Sequence, residues 1–154
     1  MKSFVDLTAG DMNSRFSVNV MGIFDGMKYQ LGEMLKSRSG SILNVSSCAG
    51  IGAAPKLAAY SASKHAVVGL TKTAAAEYAK YSSGVNAICP FFTLTPMVED
   101  GDAGKIQDFL ANSTPMKRLG TTAEIATAAS MLCAPANSYL TGQCVAVDGG
   151  VSVL

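Results

Sequence analysis

Tyr60 and Lys64 stand four residues apart in "YSASKHAVVG", so on a helix their side chains lie next to each other on one face. An ammonium beside a phenol favours the phenolate and draws a tyrosine down from its ordinary pKa of about 10, toward the range where it exchanges protons near neutral pH. Ser47 precedes Tyr60 by thirteen residues and closes the apolar run "SILNVSS". A serine at the C-terminal end of a strand faces the crevice where open α/β sheets hold their ligands. Its hydroxyl can bond the same substrate oxygen that Tyr60 protonates. Alone, the tyrosine–lysine spacing is two common residues at a helical interval, and that marks a solvated face more often than a site.

The elements that would position these groups follow from pattern. Thr8 with Asp11 forms a capping box, Asp replacing the usual Glu, and opens a helix predicted over 10–36. Phe16, Val20, Ile23, Met27, Leu31 and Met34 recur behind it at three- and four-residue spacing, one face of that helix. "SRSGS" ends it, and 41–47 reads as a short buried strand closed by the glycine-containing "CAGIGAAP" loop. A second long helix is predicted over 57–80, with small residues on several faces that call for close helix contacts. Then come a strand over 84–90, a loop from Phe91, a short helix over 104–112 and a helix over 122–134. Thr121 and Glu124 cap that last helix, Pro135 stops it, and "GQCVAVDGG" supplies a third strand. Strands alternating with helices imply parallel α/β crossovers in a single domain spanning 1–154. Three strands is few for a parallel sheet. The first of them follows a helix, so it is expected to lie beside a strand that this chain does not contain.

Composition narrows the function classes. The chain has 154 residues, 49% hydrophobic and only 15% charged, which leaves apolar surface for self-association. A formal net charge of +1 with no basic run gives neither a nucleic-acid footprint nor a polybasic membrane patch. Apolar stretches stop short of a membrane span, and the N-terminus lacks a signal core, so a cytoplasmic protein is expected. Cys48, Cys89, Cys133 and Cys144 form no CxxC pair, and apolar neighbours mark them as buried, reduced thiols. One histidine, His65, speaks against a His-based metal site, and on a helix it faces away from Tyr60. Met21, Met27, Met34, Met97, Met116 and Met131 read as core or interface filler, and Asp148 as a strand terminus.

Taken together, several motifs resemble the short-chain dehydrogenase/reductase family. "NVSSCAG" followed by "YSASK" is similar to the family's catalytic serine, tyrosine and lysine, and "SVNVMGIF" to the helix carrying its fourth catalytic residue, here Asn19. "VNAICPFFTLTPM" resembles the segment after the family's sixth strand, and "YLTGQCVAVDGG" its last strand; the match runs from about residue 5 to residue 150. The resemblance implies that Tyr60 is the general acid/base and that Ser47 holds the substrate carbonyl. Lys64 would lower the tyrosine pKa and bond the cofactor ribose, and Asn19 would anchor a relay water. It also implies that the two long helices pack against a neighbour's, giving a homodimer or larger assembly through 10–36 and 57–80.

Two departures redirect the reading. The family's opening strand and glycine-rich TGxxxGxG turn, which seats the cofactor pyrophosphate at a helix N-terminus, has no counterpart here, nor has its NNAG-like turn. Gly50, Gly52 and Gly69 do not substitute, because none opens a helix after a first strand. The expected fold is therefore α/β and truncated Rossmann-like: half of a doubly wound parallel sheet, about three strands with flanking helices. Where the family carries Pro-Gly, this chain has Pro90-Phe91-Phe92. Phe91 is expected to project into nicotinamide space, with Phe92 and Thr95 completing a substrate pocket or simply packing. Thr95 matches a family threonine near the cofactor amide. The resulting expectation is an enzyme without cofactor or metal that uses Tyr60, Ser47, Lys64 and Asn19 for proton transfer. An isomerase, cyclase, dehydratase or lyase acting on a small carbonyl or phenolic metabolite fits that set. The alternatives are an NAD(P)-dependent oxidoreductase, as a fragment or completed by a partner, and a non-catalytic half-domain that binds a full-length relative.

Overall fold

The computed structural model describes residues 1–99 and 106–153. Its first helix follows the capping box as expected. Thr8 Oγ1 accepts from the Asp11 amide and the Asp11 carboxylate accepts from the Thr8 amide, opening α1 (Ala9–Phe16). The helix does not run uninterrupted. A π-helical turn at Ser17–Met21 joins α1 to α2 (Gly22–Ser37). After β1 (Gly40–Val45) and a 3-10 turn at Cys48–Gly50 comes α3 (Ala58–Tyr78), then β2 (Ser83–Pro90).

The segment read as a loop from Phe91 contains β3 (Thr93–Leu94) and the helical turn α4 (Pro96–Glu99). The expected helix 104–112 appears as α5 (Gln107–Ser113), its first two positions lying outside the described residues. β4 (Gly120–Thr121), α6 (Thr122–Leu132) and β5 (Cys144–Val147) complete the chain. β3 and β4 pair in parallel, Thr93 with Gly120 and Leu94 with Thr121. Such two-residue pieces carry no periodicity for a sequence reading to catch.

β1, β2 and β5 form one parallel sheet in that spatial order, Val45 opposite Ile88 and Ile88 opposite Val145. β2 is the central strand and six of its eight residues are buried, which is why it reads as a nearly continuous apolar run. Among the described residues β1 pairs on one edge only. On one face Met27, Leu31 and Met34 from α2 pack with Ile42, Val85, Ala74 and Ala75. Buried Asn44 is satisfied within that layer, donating to Thr71 Oγ1 at 2.9 Å, and Thr71 in turn donates to the Val67 carbonyl. The small side chains of α3 do what their spacing implied: Ala59, Ser63, Val67, Thr71, Ala74 and Ala75 form its buried face.

Burial corrects two side-chain readings. Met27 and Met34 lie in the core, but Met21, Met116 and Met131 are exposed; the side chain of Met97 lies outside the described residues. Cys89 is buried and Cys48 and Cys144 are half-buried, but Cys133 is exposed. Cys133 caps α6, a helix with no buried residue, so its apolar neighbours lie on the surface with it. All four cysteines are free thiols.

The second capping box is also present and is reinforced. Glu124 receives both Arg118 guanidinium nitrogens, at 2.7 and 2.9 Å, and the Thr121 amide at 2.8 Å. The Arg118 hydrogen bond and then the Thr121 amide hold the Glu124 carboxyl down from 4.5 to about 2. A carboxyl depressed in the folded state stabilises fully above its unfolded pKa and loses that effect as pH falls through the folded one. Glu124→Gln should therefore lower the melting temperature at pH 6. The difference from wild type should shrink below pH 4.5 and vanish below about pH 2, as read from thermal unfolding across that range.

Candidate active site

Direct bonds join the segment around Ser47 to the first turns of α3, which carry Tyr60 and Lys64. Ser61 Oγ donates to the Ala49 carbonyl at 2.7 Å, and Ser46 Oγ donates to the Lys64 carbonyl at 3.0 Å. Gly50 lies so close to α3 that a β-carbon there would sit 2.7 Å from the Lys64 carbonyl oxygen. That is the reason for a glycine at this position, and it concerns packing of the site's two elements against each other. Ser47 Oγ accepts from the Ala49 amide at 3.2 Å, so an N–H fixes the oxygen while its own proton stays available to a ligand.

Lys64 Nζ lies 5.7 Å from the Tyr60 ring centroid and donates to the Val45 carbonyl at 2.9 Å. The Ser46 amide donates to the Ile88 carbonyl, so the Val45 carbonyl, in the same peptide unit, points away from β2 to the unpaired edge of β1. The ammonium thus caps the last acceptor on that edge, and burial pushes its pKa below the ordinary lysine value. Asn19 sits in the π turn, where an extra residue per turn re-aims a side chain. Its Nδ2 donates to Ser63 Oγ at 3.0 Å, and Ser63 Oγ donates to the Tyr60 carbonyl at 2.7 Å. The chain Asn19–Ser63–Tyr60 joins the first helix to the turn that carries the tyrosine. The sequence reading passed over Ser46, Ser61 and Ser63, whose only signal was small polar residues clustered in "SAS" and "SSC".

The aromatic pair packs together and lines an apolar cavity, two of the placements open to it. Phe91 and Phe92 meet edge to face with ring centroids 5.0 Å apart. Both line a cavity of about 330 Å³ with Met116, Ile125, Val147 and Asp148. Ser47, Tyr60, Lys64 and Thr95 do not line it. Phe91 keeps a negative φ, so its backbone makes no demand for glycine. Thr95 caps the short helix α4, its Oγ1 accepting from the Val98 amide at 3.4 Å. His65 is exposed and its Nδ1 lies 3.0 Å from the Ser61 carbonyl oxygen. No group of three or more metal-ligating side chains occurs among the described residues, and no helix there is long and apolar enough to cross a membrane.

A family model described as enoyl-(acyl carrier protein) reductase matches residues 1–152. The chain belongs to the short-chain dehydrogenase/reductase family. The 2,5-dichloro-2,5-cyclohexadiene-1,4-diol dehydrogenase of Sphingobium indicum is 42% identical over 141 residues, covering 89% of this chain and 56% of that one. The A-factor type gamma-butyrolactone 1'-reductase of Streptomyces virginiae is 43% identical over 139 residues, 88% of this chain and 54% of its own. Among solved structures, ElxO with NADP bound superposes with a TM-score of 0.95 at 33% identity, over 100% of this chain and 63% of ElxO. A tyrosine-to-phenylalanine variant of ElxO with NADPH bound superposes equally well, at 32% identity and a TM-score of 0.95. This chain thus spans little more than half the length of the family relatives it matches, and its three-strand sheet with flanking helices corresponds to part of their fold. Those relatives are named as dehydrogenases and reductases, and none of these comparisons supports an isomerase or lyase.

Proposed function

We propose that this chain carries the acid/base part of an NAD(P)-dependent short-chain oxidoreductase acting on a small carbonyl or alcohol. A further segment or a second chain would supply the dinucleotide cradle. The observation that carries this reading is that hydrogen bonds tie the segment around Ser47 to the turns of α3 that carry Tyr60 and Lys64, at the C-terminal end of β1, in a chain whose solved relative holds NADP. The described residues fit one end of a dinucleotide only. Lys64 offers an ammonium for a ribose hydroxyl and Thr95 a hydroxyl for an amide, whereas no glycine-rich turn for a pyrophosphate stands among them.

In the reducing direction Ser47 Oγ donates a hydrogen bond to the substrate carbonyl oxygen and so fixes it. Tyr60 Oη gives its proton to that oxygen as the carbon is reduced, and the nearby Lys64 ammonium stabilises the phenolate left behind. The chemistry that a bound nicotinamide supplies is the hydride. Asn19, through Ser63, holds the Tyr60 turn in place.

A fusion tests this. The portion of the Streptomyces reductase outside the aligned region would be joined to this chain, and NADPH binding and NADPH consumption measured against a panel of ketones and lactones. Both binding and consumption are expected. A fusion that binds NADPH yet reduces no carbonyl would overturn the proposal. So would an unfused chain that turns over a carbonyl compound with no nicotinamide, which is the result that proton transfer alone would give. We propose further that helices 10–36 and 57–80 form a homodimer contact. Val18, Met21 and Phe24 are large apolar side chains left exposed on the first of these. The fused protein should therefore sediment as a dimer or larger, and a stable monomer would remove that part of the reading.

A further inference from the structure

Ser47 is tied to α3 by the serines described above, and a separate contact ties its turn in the opposite direction. Cys48, the next residue, reaches across the C-terminal ends of the strands. Its thiol lies 3.3 Å from the Cys89 carbonyl on β2 and 3.8 Å from Asp148 Oδ2 just past β5. Asp148 is itself fixed, its carboxylate accepting from the Gly150 amide at 2.9 Å and the Ser152 amide at 2.7 Å. Burial would raise the Asp148 carboxyl, but the Ser152 and Gly150 hydrogen bonds outweigh it and keep it ionised below the ordinary carboxylate range. The Cys48 thiol is pushed up to about 12, by burial first and then by the Asp148 and Cys89 groups that face it. It therefore stays protonated and is not a nucleophile, its one S–H shared between Asp148 Oδ2 and the Cys89 carbonyl.

We propose that Cys48 and Asp148 form a clasp that sets the position of Ser47, with Cys48 a positioning residue for substrate binding. α3 holds the Ser47 turn from one side and the clasp holds it from the other, through the strand end that also lines the aromatic cavity. The clasp assigns a task to a thiol that the acid/base chemistry leaves unused. Its consequence for substrate rests on the oxidoreductase reading, but the contact itself does not.

Hydrogen exchange at the Ala49 amide, which donates to Ser47 Oγ, reads the position of Ser47 without any activity assay. In the full chain, Cys48→Ala and Asp148→Ala should each speed that exchange about tenfold, while the double variant goes no further than the faster single one. Asp148→Asn keeps one oxygen to accept from Cys48 and Ser152 but sets an NH2 against the Gly150 amide, so its effect should fall between wild type and Asp148→Ala. Two single effects that simply multiply in the double variant, or a folded Cys48→Ala with unchanged Ala49 exchange, would overturn the clasp. Should the alanine variants not fold, alkylation of Cys48 in Asp148→Asn decides. Loss of the carboxylate charge should speed modification by iodoacetamide at pH 9 about tenfold, and an unchanged rate overturns the proposal. In the NADPH-binding fusion, Cys48→Ala should raise KM more than it lowers kcat. If Ala49 exchange responds but no carbonyl is reduced by any variant, the clasp stands and the oxidoreductase reading falls.

Discussion

Tyr60→Phe in the cofactor-completed protein is expected to lower kcat by about a thousandfold and leave NADPH affinity within about twofold. The substitution removes one oxygen and little else. The bond that ties Tyr60 to its neighbours comes from its backbone carbonyl, which accepts from Ser63, so the turn keeps its shape without the hydroxyl. Lys64 Nζ sits over the ring and donates to Val45, and both contacts survive in phenylalanine. What is lost is the proton donor alone. A tyrosine-to-phenylalanine variant of ElxO, a protein that superposes on this chain, is itself NADPH-bound. Stopped-flow reduction with saturating NADPH gives kcat, and fluorescence titration gives the affinity. Turnover within tenfold of wild type would remove Tyr60 from the proton-transfer role. A collapse of NADPH binding would show instead that the phenol is part of the cofactor site.

The same residues show how far the chain could be read before its coordinates. Both capping boxes, Thr8 with Asp11 and Thr121 with Glu124, are local chemistry within one turn, and both were legible. The three strands of the main sheet were legible from short apolar runs between turn residues, and β2 best of all because it is buried on both faces. The π turn was not. Phe16, Val20, Ile23 and Met27 keep a helical spacing through it, and the interaction that marks it is Asn19 with Ser63, forty-four residues away. Cys133 failed for a similar reason, since apolar neighbours in sequence say nothing of whether a helix has a core side. Phe91 stands where the family holds glycine, and only the fold shows its ring packed edge to face on Phe92. The candidate acid/base residues came from resemblance, and the serines that tie the segment around Ser47 to α3 emerged only in three dimensions. The weight given to a cofactor-free reaction came from a missing motif. A chain that spans little more than half of its relatives cannot turn a missing motif into a missing cofactor.

Gly50→Ala should be the most damaging single-methyl change in the site. An alanine in place of an ordinary glycine stabilises by about 0.4–1 kcal/mol, because the unfolded chain loses freedom. At Gly50 that gain meets a β-carbon 2.7 Å from the Lys64 backbone carbonyl, in a turn that is bonded to α3 at two further points. Backbone cannot rotate out of the way as a side chain can, so either the turn or the start of α3 must move. Overpacking of that kind costs about 1–3 kcal/mol and exceeds the entropic gain. Two other glycines serve as controls. A β-carbon at Gly52 meets the Cys48 carbonyl at 3.6 Å, an ordinary contact, and one at Gly69 in α3 meets nothing within 4 Å. Gly69→Ala should therefore stabilise by up to about 1 kcal/mol through helix propensity, Gly52→Ala should be close to neutral, and Gly50→Ala alone should destabilise in urea unfolding. Separating the turn from α3 parts Ser47 from Tyr60, so Gly50→Ala should also lose at least tenfold in kcat/KM at temperatures where it remains folded, an effect of about 1.4 kcal/mol on the transition state. Equal stability for Gly50→Ala and Gly52→Ala would mean that the close approach of the two elements is not what holds the site together.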